Sequence, residues 1–151
     1  MISIGSTAPD FTLQDQNSQE LRLSDLAGKK ILLSFHPLAW TRVCSEQMKS
    51  LEANTDRFRA LNCVPLGLSI DSVPSKNAWA RELGIVNTRL LSDFWPHGEV
   101  AILYGVFRQK NGYSERANII LDEKHRVAFG RTYPLSQLPD IEEVIKALEQ
   151  I

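Results

Sequence analysis

Apolar residues along this chain follow two periods. Lys30–Phe35 (KILLSF) and Val64–Ile70 (VPLGLSI) are nearly continuous apolar runs, the pattern of strands covered on both faces. Between them, Cys44, Met48, Leu51, Thr55 and Phe58 recur at steps of four and three. That spacing predicts a helix over Arg42–Ala60 with one less polar face. Thr41 stands where its N-cap belongs. Pro37 closes the strand before it, because proline cannot donate to a sheet ladder.

Shorter patterns fill in the rest. Strands around Asp10–Leu13 and Glu20–Leu23 flank the polar turn Asp15-Gln16-Asn17-Ser18. Pro74–Leu83 predicts a helix with Ser75 near its cap and Gly84 as its stop. Arg89–Ser92 reads as a short strand and Pro96–Leu103 as a short helix. Arg116–Asp122 (RANIILD) and Arg126–Arg131 (RVAFGR) predict a hairpin around Asp122-Glu123-Lys124-His125. In the last helix Leu138, Ile141, Val144, Ile145 and Leu148 form an apolar stripe. Pro139 suits its first position, and Asp140, Glu142 and Glu143 suit its positive end. The order β-β-β-α-β-α-β-α-β-β-α predicts one α/β domain over residues 1–151. Its central mixed sheet would be thioredoxin-like and flanked by helices.

Charge narrows the function classes. With 17 Lys+Arg against 18 Asp+Glu the net charge is -1. A general nucleic-acid binder or a polybasic membrane-surface protein would look different. No apolar run approaches the ~20 residues of a membrane span. Met1-Ile2-Ser3-Ile4-Gly5 lacks the basic and apolar regions of a signal peptide, so a cytoplasmic location is expected. The two cysteines, Cys44 and Cys63, are too few for a disulfide scaffold and form no C-x-x-C pair.

The chemistry concentrates in Pro37-Leu38-Ala39-Trp40-Thr41-Arg42-Val43-Cys44. A buried strand delivers this loop to the carboxyl end of the sheet, where open α/β sheets place their sites. Cys44 then falls in the first turn of a helix, where unpaired N–H groups and the positive dipole end favour an anion. A thiol there is expected to ionise below its free value near 8.5. Thr41 lies on the same side of the turn, able to hydrogen-bond the sulfur or an incoming oxygen. Pro37 shapes the loop and shields the thiolate from water.

The pattern P-x-x-x-T-x-x-C between an apolar strand and a long helix resembles the active-site motif of peroxiredoxins. The likeness extends through Gly5–Leu13, Leu23–Lys29, Gly67–Ser72, Leu91–Phe94, Tyr104–Val106 and Ser114–Asp122. Within the family it is most similar to the short bacterial alkyl hydroperoxide reductase E-like group. The resemblance implies a thiol peroxidase that reduces hydrogen peroxide or organic hydroperoxides through a sulfenic acid on Cys44. Thr41, Arg116 and the backbone N–H groups of Val43 and Cys44 would hold the two peroxide oxygens. No metal, haem or flavin is implied. A homodimer is, with thioredoxin, glutaredoxin or a low-molecular-weight thiol as reductant.

Two departures stand out. Many relatives carry Glu three residues after the cysteine to orient the arginine; here Gln47 stands there. A second cysteine five residues on, or in a C-terminal tail, is also missing. Cys63 follows a helix of about 18 residues, roughly 27 Å long, so it should lie at the far end of the sheet from Cys44. A disulfide needs Cα atoms within about 7 Å. The expectation is a one-cysteine mechanism, with Cys63 a packed residue and resolution through it the alternative. Other readings are a peroxide sensor or holdase using the same cysteine, and a disulfide oxidoreductase, which Thr41 in place of the first cysteine of C-x-x-C opposes. A cysteine protease would want a histidine base. His36, His97 and His125 have no metal-ligand spacing, and His125 reads as a turn residue. The family resemblance alone implies that Trp40, Phe94 and Trp95 line an apolar entrance or dimer surface; Trp79 reads as packing, and Arg42 as a border charge of open role.

Overall fold

The computed structural model describes residues 1–151. Two short strands, β1 (Thr12–Gln14) and β2 (Glu20–Arg22), pair antiparallel. The Asp15 carboxylate holds the turn between them by accepting from Asn17 N (2.8 Å) and Gln19 N (3.0 Å). Next come β3 (Lys30–Phe35), α1 (Arg42–Ala53), α2 (Thr55–Ala60) and β4 (Cys63–Ser69). α3 (Val73–Leu83) leads to β5 (Arg89–Ser92) and α4 (Glu99–Leu103). The chain ends with β6 (Phe107–Arg108), β7 (Tyr113–Ser114), β8 (Arg116–Leu121), β9 (Val127–Tyr133) and α5 (Ile141–Glu149). Seven strands form one mixed sheet in the order β2-β1-β5-β4-β3-β8-β9, and β6 and β7 form a separate hairpin. β3, β4 and β5 run parallel, with β8 antiparallel to β3. No helix is long and apolar enough to cross a membrane.

The two-residue period of the central strand divides the interior. Ile31, Leu33 and Phe35 join one core with Phe11, Leu68 and Tyr104. Leu32 faces the other, with Cys44, Met48, Trp79 and the α5 residues Val144 and Leu148. α1, α2, α3 and α5 thus cover one face, and α4 with the N-terminal segment covers the second. Gly67 lets α1 lie close to the sheet. A Cβ there would come within 2.5 Å of the Met48 sulfur and 2.9 Å of Leu90.

Several boundaries differ from expectation. The helix over 42–60 breaks at Asn54 (φ -110, ψ 19), whose Nδ2 donates to Ser50 O at 2.8 Å, so side chain and backbone compete for the last-turn carbonyls. Ser72, not Ser75, caps α3 by accepting from Ser75 N, while Gly84 (φ 70) ends it as expected. Asp140, not Pro139, starts α5 as its cap, accepting from Glu142 N at 2.9 Å. Pro96 lies ahead of α4, whose first-turn N–H groups (Val100 and Ala101, 3.0 Å each) bind the buried Asp93 carboxylate. β9 runs two residues past Arg131, because Tyr133 still pairs with Arg116.

Candidate active site

The site forms where β3 runs out. His36 N still donates to Leu68 O (3.0 Å), and Pro37 then ends the ladder. Asp71, just beyond β4, pins the departing loop. Its Oδ2 accepts from Ala39 N (2.8 Å) and from Ser69 Oγ (2.6 Å). Trp40 sits at φ 71, a conformation costly for a bulky residue, and its Nε1 donates to Ser75 Oγ at 3.1 Å. Thr41 is at the N-cap position of α1, yet its hydroxyl does not cap the helix. It donates back to Leu38 O at 2.7 Å. The expected side-chain cap is therefore absent, because the tight loop offers a closer acceptor. Val43 N and Cys44 N donate to no acceptor in the protein and remain open to a ligand.

Cys44 is the third residue of α1 and is fully buried. Arg116, the first residue of β8, reaches it from the neighbouring strand. Nη1 lies 3.3 Å from Cys44 Sγ and 2.7 Å from Gln47 Oε1. Nε and Nη2 both donate to Leu135 O, at 3.1 and 2.7 Å, which fixes the guanidinium plane. Those four contacts use four of its five N–H groups, leaving one Nη2 hydrogen free. Gln47, one turn after Cys44, donates through Nε2 to Ser34 Oγ (2.7 Å) and Phe35 O (3.2 Å), and Ser34 Oγ donates to Asn118 (2.8 Å). This buried chain needs an amide at 47, since a carboxylate could not donate.

An open cavity of about 260 Å³ borders Cys44 and Arg116. Leu38, Val43, Tyr113 and Leu135 give it an apolar rim, and Pro37, Thr41, Arg42, Cys44 and Arg116 complete it. Arg42 itself is exposed and pairs along the helix with Glu46 at 3.4 Å. A larger groove (about 470 Å³) between Lys30, Asp122–Lys124 and Arg126 is lined by charged residues and holds no cysteine. The smaller cavity is lined by Val43 and Cys44, whose backbone N–H groups have no acceptor in the protein, and by Arg116, which has one N–H to spare. The Thr41 hydroxyl, its hydrogen committed to Leu38, can meet a ligand as an acceptor. Such a set fits a small molecule with an attackable oxygen and a leaving oxygen.

Sequence reasoning did not reach Leu135 and Tyr113, nor Asp71, Ser34 and Asn118 as supports. Leu135 grips Arg116 through its carbonyl, which any residue supplies, so no side-chain signal could have found that role. The histidines are dispersed. His97 Nε2 meets Gly112 O (2.6 Å) and His125 Nε2 meets Leu26 O (3.1 Å), the latter in a turn at φ 57. His36 is buried, its pKa pushed well below the usual value chiefly by burial. No group of three or more His, Cys, Asp or Glu is placed to hold a metal. Cys63 pairs in register with Lys30 at the start of β3, whereas Cys44 follows that strand's end. Six strand residues separate the two levels, roughly 20 Å. Burial pushes the Cys63 thiol up to about 12.

Residues 4–129 match the model of the AhpC/TSA family. The alkyl hydroperoxide reductase E of Mycobacterium tuberculosis is 38% identical over 130 residues, 85% of this chain and 84% of that protein. Peroxiredoxin-1 of Gekko japonicus is 30% identical over 159 residues, covering 97% of this chain and 77% of its own. Among solved structures, the peroxidoxin BcpB of M. tuberculosis superposes with a TM-score of 0.88 at 25% identity, over 100% of this chain and 99% of that one.

Proposed function

We propose a specific chemistry for this chain, which belongs to the AhpC/TSA family of peroxiredoxins and is a thiol peroxidase: Cys44 is the peroxidatic thiolate, and organic hydroperoxides are its preferred substrates. The observation that carries this reading is the Arg116 Nη1 contact to Cys44 Sγ at 3.3 Å on the floor of an open cavity. The thiolate sulfur gives an electron pair to the terminal peroxide oxygen and the O–O bond breaks. Sulfur becomes a sulfenic acid, and the leaving alkoxide takes a proton to become the alcohol. Negative charge moves from sulfur to the leaving oxygen. Val43 N, Cys44 N and the free Arg116 N–H are the donors for it, and they need no reorganisation. Thr41 accepts the hydroperoxide proton's hydrogen bond, and Pro37 limits water at the sulfur. The rim of Leu38, Val43, Tyr113 and Leu135 favours a substrate with a hydrocarbon body over hydrogen peroxide.

Reduction of the sulfenic acid is by an external thiol, a thioredoxin, a glutaredoxin or a small thiol. The separation of Cys63 from Cys44 along β3 supports this one-cysteine cycle. We also propose a homodimer in a reducing, cytoplasmic setting. The test is stopped-flow tryptophan fluorescence with limiting cumene hydroperoxide or hydrogen peroxide, on wild type, Cys44→Ser and Cys63→Ser. Wild type and Cys63→Ser should react rapidly and Cys44→Ser not at all. Three equally slow proteins would remove the assignment.

A further inference from the structure

Two basic side chains lie buried beside the site without lining its cavity. Lys76 sits near the start of α3 and is fully buried. It shares a helix face with Trp79, three residues on. Trp79 Nε1 donates to Ser45 Oγ at 3.2 Å, and Ser45 follows Cys44 directly, so this face of α3 packs against the first turn of α1. Lys76 Nζ lies 3.3 Å from His36 Nε2. His36 Nδ1 lies 3.3 Å from Ser34 O. A carbonyl only accepts, so Nδ1 carries the proton of the neutral ring and Nε2 accepts from Lys76. The imidazole, packed at a tilt of 42° against Trp79 with centroids 5.4 Å apart, thereby aims the lysine.

None of the ion pairs in the structure includes Lys76. Its hydrogen-bond partner is His36 after β3, and the charges that act on it come from Asp71 after β4, Cys44 in α1 and Asp93 after β5. Arg116 faces His36 from β8. We propose that Lys76, aimed by His36, is a positioning residue of the Cys44 site: a buried cation that holds its proton while the sulfur is a thiolate and yields it when the sulfur becomes a neutral sulfenic acid. The proposal rests on Cys44 being the peroxidatic thiolate.

The physics is that of two coupled sites. A buried ammonium with one acceptor for three N–H groups is poorly solvated, and burial lowers Lys76 to about 7. Near neutral pH its protonation is thus balanced, and the charge on sulfur tips it. Arg116, which cannot lose its proton, cannot respond in this way. In the net balance, thiolate, hydroperoxide and ammonium become sulfenic acid, alcohol and amine. The alkoxide formed when the O–O bond breaks takes its proton from water in the open cavity, and the one proton that Lys76 gives up returns to solvent, so the count closes without a direct transfer.

Two measurements test this. The first is carbon NMR of the lysine ε-carbons in reduced wild type and in Cys44→Ser, titrated with pH. Lys76 is the lysine that titrates well below the others. Its midpoint should be lower in Cys44→Ser by about one pH unit, because the neutral hydroxyl no longer holds the proton. Equal midpoints would overturn the proposal, whatever happens to any Lys76 variant. The second is thiolate absorbance at 240 nm in Lys76→Met beside wild type. The Met variant's midpoint should rise by about one pH unit, and its rate at pH ~6 should drop about tenfold with the high-pH plateau kept. A folded Lys76→Met with an unmoved midpoint, or one that loses only plateau rate, refutes the role. A wild type that ignores both hydroperoxides removes the peroxidase reading instead.

Discussion

Gln47→Glu puts a negative charge where the protein keeps a neutral amide. Gln47 Oε1 and Cys44 Sγ share one nitrogen, Arg116 Nη1, at 2.7 and 3.3 Å. A carboxylate at 47 therefore stands no more than about 6 Å from the sulfur. At an effective dielectric near 20, two unit charges at that distance interact by about 3 kcal/mol. A repulsion of that size corresponds to about two pH units on the thiol. The open cavity lets water relax part of it, so the expected rise is one to two units. The variant also loses the donor that serves Ser34 Oγ and Phe35 O, leaving two oxygens facing at 3.2 Å in a buried site. That loss is worth about 1–3 kcal/mol of stability, or several degrees of Tm for a domain of this size. The assay is 240 nm absorbance against pH in a Cys63→Ser background, paired with the second-order oxidation rate at pH ~6 and ~9. The rate should fall at the lower pH and recover at the higher. A folded variant whose thiolate midpoint stays put, or moves down, would show that the charge at 47 does not reach the sulfur.

Three further outcomes are expected. Arg116→Lys cannot grip Leu135 O and Gln47 at once, so its oxidation rate should fall about 10²–10³-fold; a loss under tenfold in stopped-flow would contradict the donor role. Cys63, pushed up to about 12 by burial, stays a neutral thiol at pH ~8. Iodoacetamide should then label native protein at Cys44 alone and reach Cys63 only after unfolding, as peptide mass mapping would register; equal labelling rates contradict this. Burial raises Asp93 from 3.8 to about 6 despite its two helix N–H donors. Because the folded value exceeds the unfolded one, its stabilising contribution is full below pH ~4 and is lost as pH rises through ~6, an effect of about 2–3 kcal/mol. Urea unfolding of Asp93→Asn should show a flatter pH dependence between ~4 and ~7 than wild type, and parallel curves would refute the assignment.

Local pattern carried much of this protein. KILLSF and the apolar stripe of α5 announced a buried strand and a closing helix, because burial leaves a periodic trace in the chain. The strand-loop-helix setting of Pro37, Thr41 and Cys44 was legible for the same reason, with Arg116 added by family likeness. Breaks and caps were harder. Asn54 interrupts the long helix and Asp140 displaces Pro139 as a start, since both outcomes turn on which of several nearby acceptors a side chain reaches. Asp71 pinning Ala39 N across 32 residues left no trace at all.

The order of residues alone places a cysteine where a buried strand gives way to a helix, with no second cysteine near it along the chain. What that cysteine meets depends on how the elements pack. Antiparallel pairing of β3 with β8 brings Arg116 to the sulfur, Leu135 O locks its plane, and Gln47 ties it to Ser34. The close seating of α3 buries Lys76 against His36 beside the same site. Hydrogen bonds and charge interactions act over a few ångströms in space, and a linear sequence records neither those distances nor the dielectric in which they operate.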